Sequence, residues 1–184
     1  MSNKKEIEIK FPLLNGANVV NRLKEIAKFK YEAHQIDEYF NAPHRDFTKK
    51  PRVCEWLRLR TSNGKYSINY KDYSPEIFCH EFESEISSKD HFNSLLKALN
   101  FELLVTVDKT RKVFDFDDVE ISVDEVADLG SYIELEYKGN KENVDEARAY
   151  LFDVLSKINA EVGTQDKRGY PYELLIKMGK VSKN

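Results

Sequence analysis

Alternation of apolar and polar residues at every second position recurs along this chain and constrains its fold more than any other feature. Residues 6–11 read Glu-Ile-Glu-Ile-Lys-Phe, 56–60 Trp-Leu-Arg-Leu-Arg, 67–71 Ser-Ile-Asn-Tyr-Lys and 81–86 Glu-Phe-Glu-Ser-Glu-Ile. Residues 109–113, 119–124 and 132–137 continue the series. A period of two sends successive side chains to opposite faces, so each stretch is predicted as a β-strand. Asn63-Gly64, Asp117-Asp118 and Leu129-Gly130 supply turns between several of them. Three stretches have helical spacing instead: residues 16–30, 89–99 and 142–158. Ser87 or Ser88 is the expected N-cap of the second. Residues 41–53 read as a loop, and the tail from Lys180 is expected to be disordered. A looser symmetry, strand and helix followed by strands, hints at two similar halves.

Composition narrows the function. With 29 basic and 32 acidic residues in 184, the net charge is -3, which argues against a duplex-binding protein held by bulk positive charge. No apolar run approaches the roughly 20 residues of a membrane span, and no apolar segment follows Met1 to Lys5 as in a signal peptide. The expected setting is therefore cytoplasmic, with no nucleic-acid or membrane partner. Cys54 and Cys79 have no metal-type spacing and are expected to be reduced core thiols.

The polar positions of the strands are not arbitrary. Glu6, Glu8 and Lys10 share one face, as do Arg58 and Arg60. The same holds for Glu81, Glu83 and Glu85, for Lys109 and Arg111, and for Glu134 and Glu136. Two arrangements satisfy this pattern. A sheet can pack its apolar face on helices and show its charges to water. Alternatively, it can curl until the charged faces line a cavity, carboxylates on one side and guanidinium and ammonium groups on the other. The second arrangement suits a metal-bound polyphosphate, because carboxylates take Mg²⁺ or Mn²⁺ and Arg and Lys rows clamp phosphate oxygens. Asp37 and Tyr39 are either substrate contacts or structural residues, and the histidines are assigned no role.

The order of these segments resembles the CYTH superfamily, the triphosphate tunnel metalloenzymes. Glu6-Ile7-Glu8-Ile9-Lys10 looks like its ExExK signature, and Gln35-Ile36-Asp37-Glu38-Tyr39-Phe40 like its QxDxYF segment. Leu57-Arg58-Leu59-Arg60 looks like LRxR, Tyr70-Lys71 like the TxK strand, and Lys109-Thr110-Arg111 like KxR. Asp124 through Glu136 looks like the segment ending LGxFxExE. Among subfamilies the chain is most similar to the class IV adenylyl cyclases, and Lys167 to Leu175 resembles their RxSYxELL ending, apart from Gly169 and Pro171.

The resemblance implies an α+β fold: a single domain over residues 1–184, with a closed antiparallel barrel of about eight strands and helices outside. It implies Mg²⁺ or Mn²⁺ held by Glu6, Glu8, Asp124, Glu134 and Glu136. It implies a triphosphate held by Lys10, Arg58, Arg60, Lys71, Lys109, Arg111 and, from the tail, Arg168. Glu8, Lys10, Lys109 and Arg111 are the expected catalytic set, and Glu83 and Glu85 are supporting candidates. The expected partner is a small-molecule triphosphate, bound by a monomer or homodimer. Three functions share this site: an adenylyl cyclase, a triphosphatase acting on tripolyphosphate, thiamine triphosphate or a nucleotide, and a binding module without turnover.

Overall fold

A computed structural model of the chain describes residues 7–49, 53–73, 80–140, 143–166 and 168–182. Glu6 and Cys79 lie outside the described residues, as do residues 50–52 of the expected loop, Lys167, and residues 183–184 of the expected disordered tail. Strands β1 (Glu8–Pro12), β2 (Lys28–Asn41), β3 (Glu55–Ser62) and β4 (Lys65–Asp72) precede β5 (His80–Ile86). Strands β6 (Glu102–Phe116), β7 (Val119–Val126) and β8 (Gly130–Tyr137) follow. The helices are α1 (Gly16–Ile26), α2 (Lys89–Ala98), α3 (Val144–Lys157) and α4 (Tyr170–Lys177). The protein is thus α+β, with neighbouring strands in the order β1-β8-β7-β6-β2-β3-β4-β5 and antiparallel pairing wherever the register is defined.

The α+β class with eight antiparallel strands is as expected, and closure of the sheet into a barrel is not confirmed. Among the described residues no pairing joins β1 to β5, the two ends of the strand order. β5 is exposed from His80 to Glu85 and, among the described residues, pairs with β4 alone. Period-two alternation is satisfied by open and closed sheets alike. Closure depends on register and stagger at the last edge, which the pattern does not encode.

Two compact units make up the chain, and neither is continuous in sequence. The first comprises residues 1–33 and 109–167, and the second residues 34–108 and 168–184. Their boundaries cut through β2 and β6, so the repeat suggested by the linear order of elements is not the division the fold makes.

In the first unit, α1 and α3 cover the apolar face of the strands. Val19 and Leu23 of α1, with Ala147, Leu151, Val154 and Leu155 of α3, join Ile9, Phe11, Ile121, Ile133 and Leu135 in one core. The α1 pattern stops early, because residues 28–30 belong to β2. Asn143 caps α3 by accepting from the backbone N–H groups of Asp145 and Glu146.

In the second unit, Phe40, Leu59 and Leu96 form a smaller core with Leu57, Ile68 and Phe92 packed against it. Ser88, one of the two expected caps, accepts from the His91 N–H at the start of α2. Helix α4 has no counterpart among the three expected helices. Gly169 precedes it at φ 85°, a conformation that favours glycine, and Pro171 sits in its first turn, where a missing N–H costs nothing. The tail is tied back: the Lys180 ammonium donates to the Leu104 carbonyl at 2.8 Å, and the Tyr172 hydroxyl to the Ser182 carbonyl at 3.0 Å. Cys54 is a buried free thiol. No helix among the described residues is long and apolar enough to cross a membrane.

Candidate functional site

Charged residues gather on one strand face in each unit. In the first, β1, β8, β7 and the second half of β6 lie side by side. Glu8 stands opposite Glu136, Lys10 opposite Glu134, and Arg111 opposite Asp124. Since the apolar face is taken by α1 and α3, these side chains occupy the other face. Part of that face is shut off from water, with Asp124 0% exposed and Lys109 4%. The arrangement in which all the charges look at water is therefore wrong for this unit. Glu83 and Glu85 on exposed β5 do fit it.

The buried charges neutralise one another. Lys10 Nζ lies 2.7 Å from Glu134 Oε2. Arg111 grips Asp124 side-on, Nε donating to Oδ1 and Nη2 to Oδ2, both at 2.7 Å. Lys109 Nζ donates to the same Asp124 Oδ2 at 3.3 Å, and Arg111 reaches Glu134 at 3.4 Å. Burial alone would push the Asp124 carboxyl up, but Arg111 and then Lys109 hold it below its ordinary value. Burial also opposes charge on Glu134, and Arg111, Lys10 and Lys109 outweigh it, leaving the carboxyl well below the usual range. For Lys10, burial works against the ammonium, while Glu134 and Glu8 more than compensate and raise its pKa. All three groups thus stay charged at neutral pH.

Beside this network runs a row of carboxylates, Glu8, Glu136 and Glu120, each directly opposite the next on β1, β8 and β7. Like charges so placed repel, so the row needs cations. Lys138 pairs with Glu136, and Lys30 with Glu120 at 2.6 Å. Sequence reasoning passed over Glu120, although it shares its strand face with Ser122 and Asp124. Carboxylate oxygens are the donors Mg²⁺ and Mn²⁺ prefer, so the donor chemistry fits a divalent ion. Among the described residues no three acidic, His or Cys side chains converge on one point, and Glu6 lies outside them.

The second unit holds the remaining cations. Arg60 grips Asp37 side-on at 2.6 and 2.7 Å, and Arg58 Nη1 lies 3.8 Å from the same carboxylate. Arg58 also comes within 3.7 Å of Glu83, and Lys71 pairs with Glu81 at 3.1 Å. A cavity of about 340 Å³ opens beside Arg60, with Ser62, Lys65, Ser67, Glu83 and Glu85 in its lining. Arg168 belongs to the same unit. It pairs with Glu173 at 2.9 Å and lies 4.5 Å from the centre of the Tyr172 ring.

Antiparallel strand faces carrying rows of paired Lys, Arg, Asp and Glu side chains mark the class of protein. The chain belongs to the CYTH domain family, whose model matches residues 4–170. It is 30% identical over 172 residues to a Methanocaldococcus jannaschii protein named as a candidate adenylate cyclase, covering 90% of this chain and 95% of that one. A solved Pyrococcus horikoshii protein is 30% identical, with a TM-score of 0.78 over 94% of this chain and 99% of that one. A Vibrio parahaemolyticus structure, described as a candidate adenylate cyclase, shares the fold at 21% identity and a TM-score of 0.76, covering 94% of this chain and 99% of that one.

Proposed function

We propose that the protein is a metal-dependent enzyme acting on triphosphates, and that it converts ATP to cyclic AMP and pyrophosphate. One observation carries this reading: Lys109 is buried, and Lys10 and Arg111 half-buried, on a single strand face with acidic partners. Buried charges are costly unless paired, and replacing such a row with apolar residues is often neutral or stabilising. Retaining mutually repelling cations there makes sense if they take a polyanion. The name of the Methanocaldococcus relative supports the cyclase form.

In this reading Lys10, Lys109 and Arg111 of the first unit are phosphate-binding cations, and so are Arg58, Arg60, Lys71 and, from the tail, Arg168 of the second. Glu8, Glu134 and Glu136, with Glu6 and Asp124, would hold Mg²⁺ or Mn²⁺. When bound, the ion supplies Lewis acidity that makes a ribose hydroxyl a better nucleophile. The chain's own cations stabilise the negative charge that develops on the departing pyrophosphate. At rest, Glu134 neutralises Lys10 and Arg111; an incoming phosphate takes over those cations and releases the carboxylate. Glu83, near Arg58, orients that guanidinium.

A second reading keeps the site and makes water the nucleophile, giving a triphosphatase. One feature favours it. Seven of the eight side chains lining the cavity beside Arg60 are charged or small and polar, with Tyr66 the one ring among them, so its wall suits phosphate oxygens more than a base. A product assay separates the two. Purified protein is incubated with Mg²⁺ or Mn²⁺ and, separately, ATP, tripolyphosphate and thiamine triphosphate. Cyclic AMP with pyrophosphate supports the cyclase. Orthophosphate without a cyclic product selects the triphosphatase, and binding without any product leaves a ligand-binding module.

A further inference from the structure

The second unit contains a buried aspartate that the proposed reaction does not use. Asp37 is 1% exposed and stands directly opposite Arg60 on the neighbouring strand. Its two oxygens accept from Arg60 Nε and Nη2 at 2.6 and 2.7 Å, with Arg58 close by at 3.8 Å. The first unit repeats the device, with Asp124 opposite Arg111, the same side-on grip, and Lys109 as the second cation two residues before the arginine. Two separate strand pairs have thus arrived at one solution: a cation, one intervening residue, an arginine, and a buried aspartate across the ladder.

The chemistry explains the choice. A guanidinium is planar and carries five N–H groups in a rigid fork. A side-on carboxylate uses two of them, locks the plane, and directs the others along the strand face. An arginine held this way loses little rotamer freedom when a phosphate arrives. The aspartate's own charge works against an anion, so its value to such a ligand lies in geometry alone.

We propose that Asp37 is the positioning residue for the phosphate-binding pair of the second unit: it fixes the plane of Arg60 and holds Arg58 alongside, presenting both preorganised to a phosphate chain. This rests on the triphosphate reading above. It makes a prediction opposite in sign to simple electrostatics, under which removing a negative charge beside two arginines strengthens anion binding.

The test is calorimetric binding of inorganic tripolyphosphate to the full chain in EDTA at low ionic strength, with thermal unfolding followed in parallel. Asp37→Asn keeps the shape, loses the second point of the grip, and is expected to weaken binding about tenfold or more. In an Arg60→Ala background the same substitution is expected to cost nothing further. Arg60→Lys, which keeps the charge and loses the fork, is expected to mimic Asp37→Asn and serves if that variant folds poorly. Equal or tighter binding by Asp37→Asn, an undiminished loss in the Arg60→Ala background, or wild-type binding by Arg60→Lys each overturns the proposal. If the wild-type protein binds no tripolyphosphate, the triphosphate reading itself falls.

Discussion

Each charged residue here is defined by the partner that faces it. Lys10 and Glu134, or Arg111 and Asp124, are ordinary surface residue types that form ion pairs because register sets them opposite one another. Glu8 belongs to the row expected to take the metal, so Glu8→Ala is expected to abolish metal-dependent turnover without moving the thermal midpoint by more than a few degrees. Arg58 has no place in that row, and Arg58→Ala is expected to raise KM for the triphosphate about tenfold with little change in kcat, the sign of lost uniform binding. Steady-state kinetics on both variants checks this, and wild-type values for both would sink the site assignment. The grouping of Lys109 with Arg111, and of Glu134 with Glu136, was legible in the sequence because a strand's period is two. That Asp124 would accept from both Lys109 and Arg111 was not, since facing pairs depend on register.

At the scale of elements, the first unit leans on its helices. Leu151 is fully buried in α3 against the strands, so Leu151→Ala is expected to cost about 2–5 kcal/mol in chemical denaturation. At the start of α4, Gly169 at φ 85° resists a side chain, and Gly169→Ala is expected to cost about 1 kcal/mol or more by the same measurement. Helix α4 escaped the sequence reading because Pro171 looks like a breaker in the middle of a pattern. It is a good starter in the first turn, and only the fold shows which turn it occupies. Helix α1 is shorter than its spacing predicts for a related reason: Lys28 to Lys30 continue a helical pattern, yet they belong to β2, a choice that local propensity does not record.

For the molecule as a whole, the ion pairs imply a pH dependence of stability. Asp124 and Glu134 have pKa values held below their ordinary ones in the folded state. Their contribution is present above the unfolded carboxylate range, near pH 4, and is lost as pH falls through the lower folded values. Lys10 is shifted up, so its contribution is complete below about pH 10.5 and is lost only as pH rises through the higher folded value. Denaturation midpoints measured from pH 7 downward are therefore expected to fall below about pH 4, and less steeply in Asp124→Asn, which starts lower. An unchanged acid limb in that variant would mean that its pairing with Arg111 and Lys109 contributes nothing to folding.

By itself, the sequence determined that the chain is built from alternating strands with a few amphipathic helices, and which residues share a face. Those are local properties, set by the two-residue period of a strand and the 3.6-residue period of a helix. Tertiary structure decided the rest. It divided the chain into two units cut through β2 and β6, and it took Asp124 and Lys109 on the charged face of the first unit out of water. It also chose the partners, placing Asp37 on Arg60 and Asp124 on Arg111. Register, edge pairing and burial join residues far apart in the chain, and a pattern read along one strand cannot specify which distant strand will lie beside it.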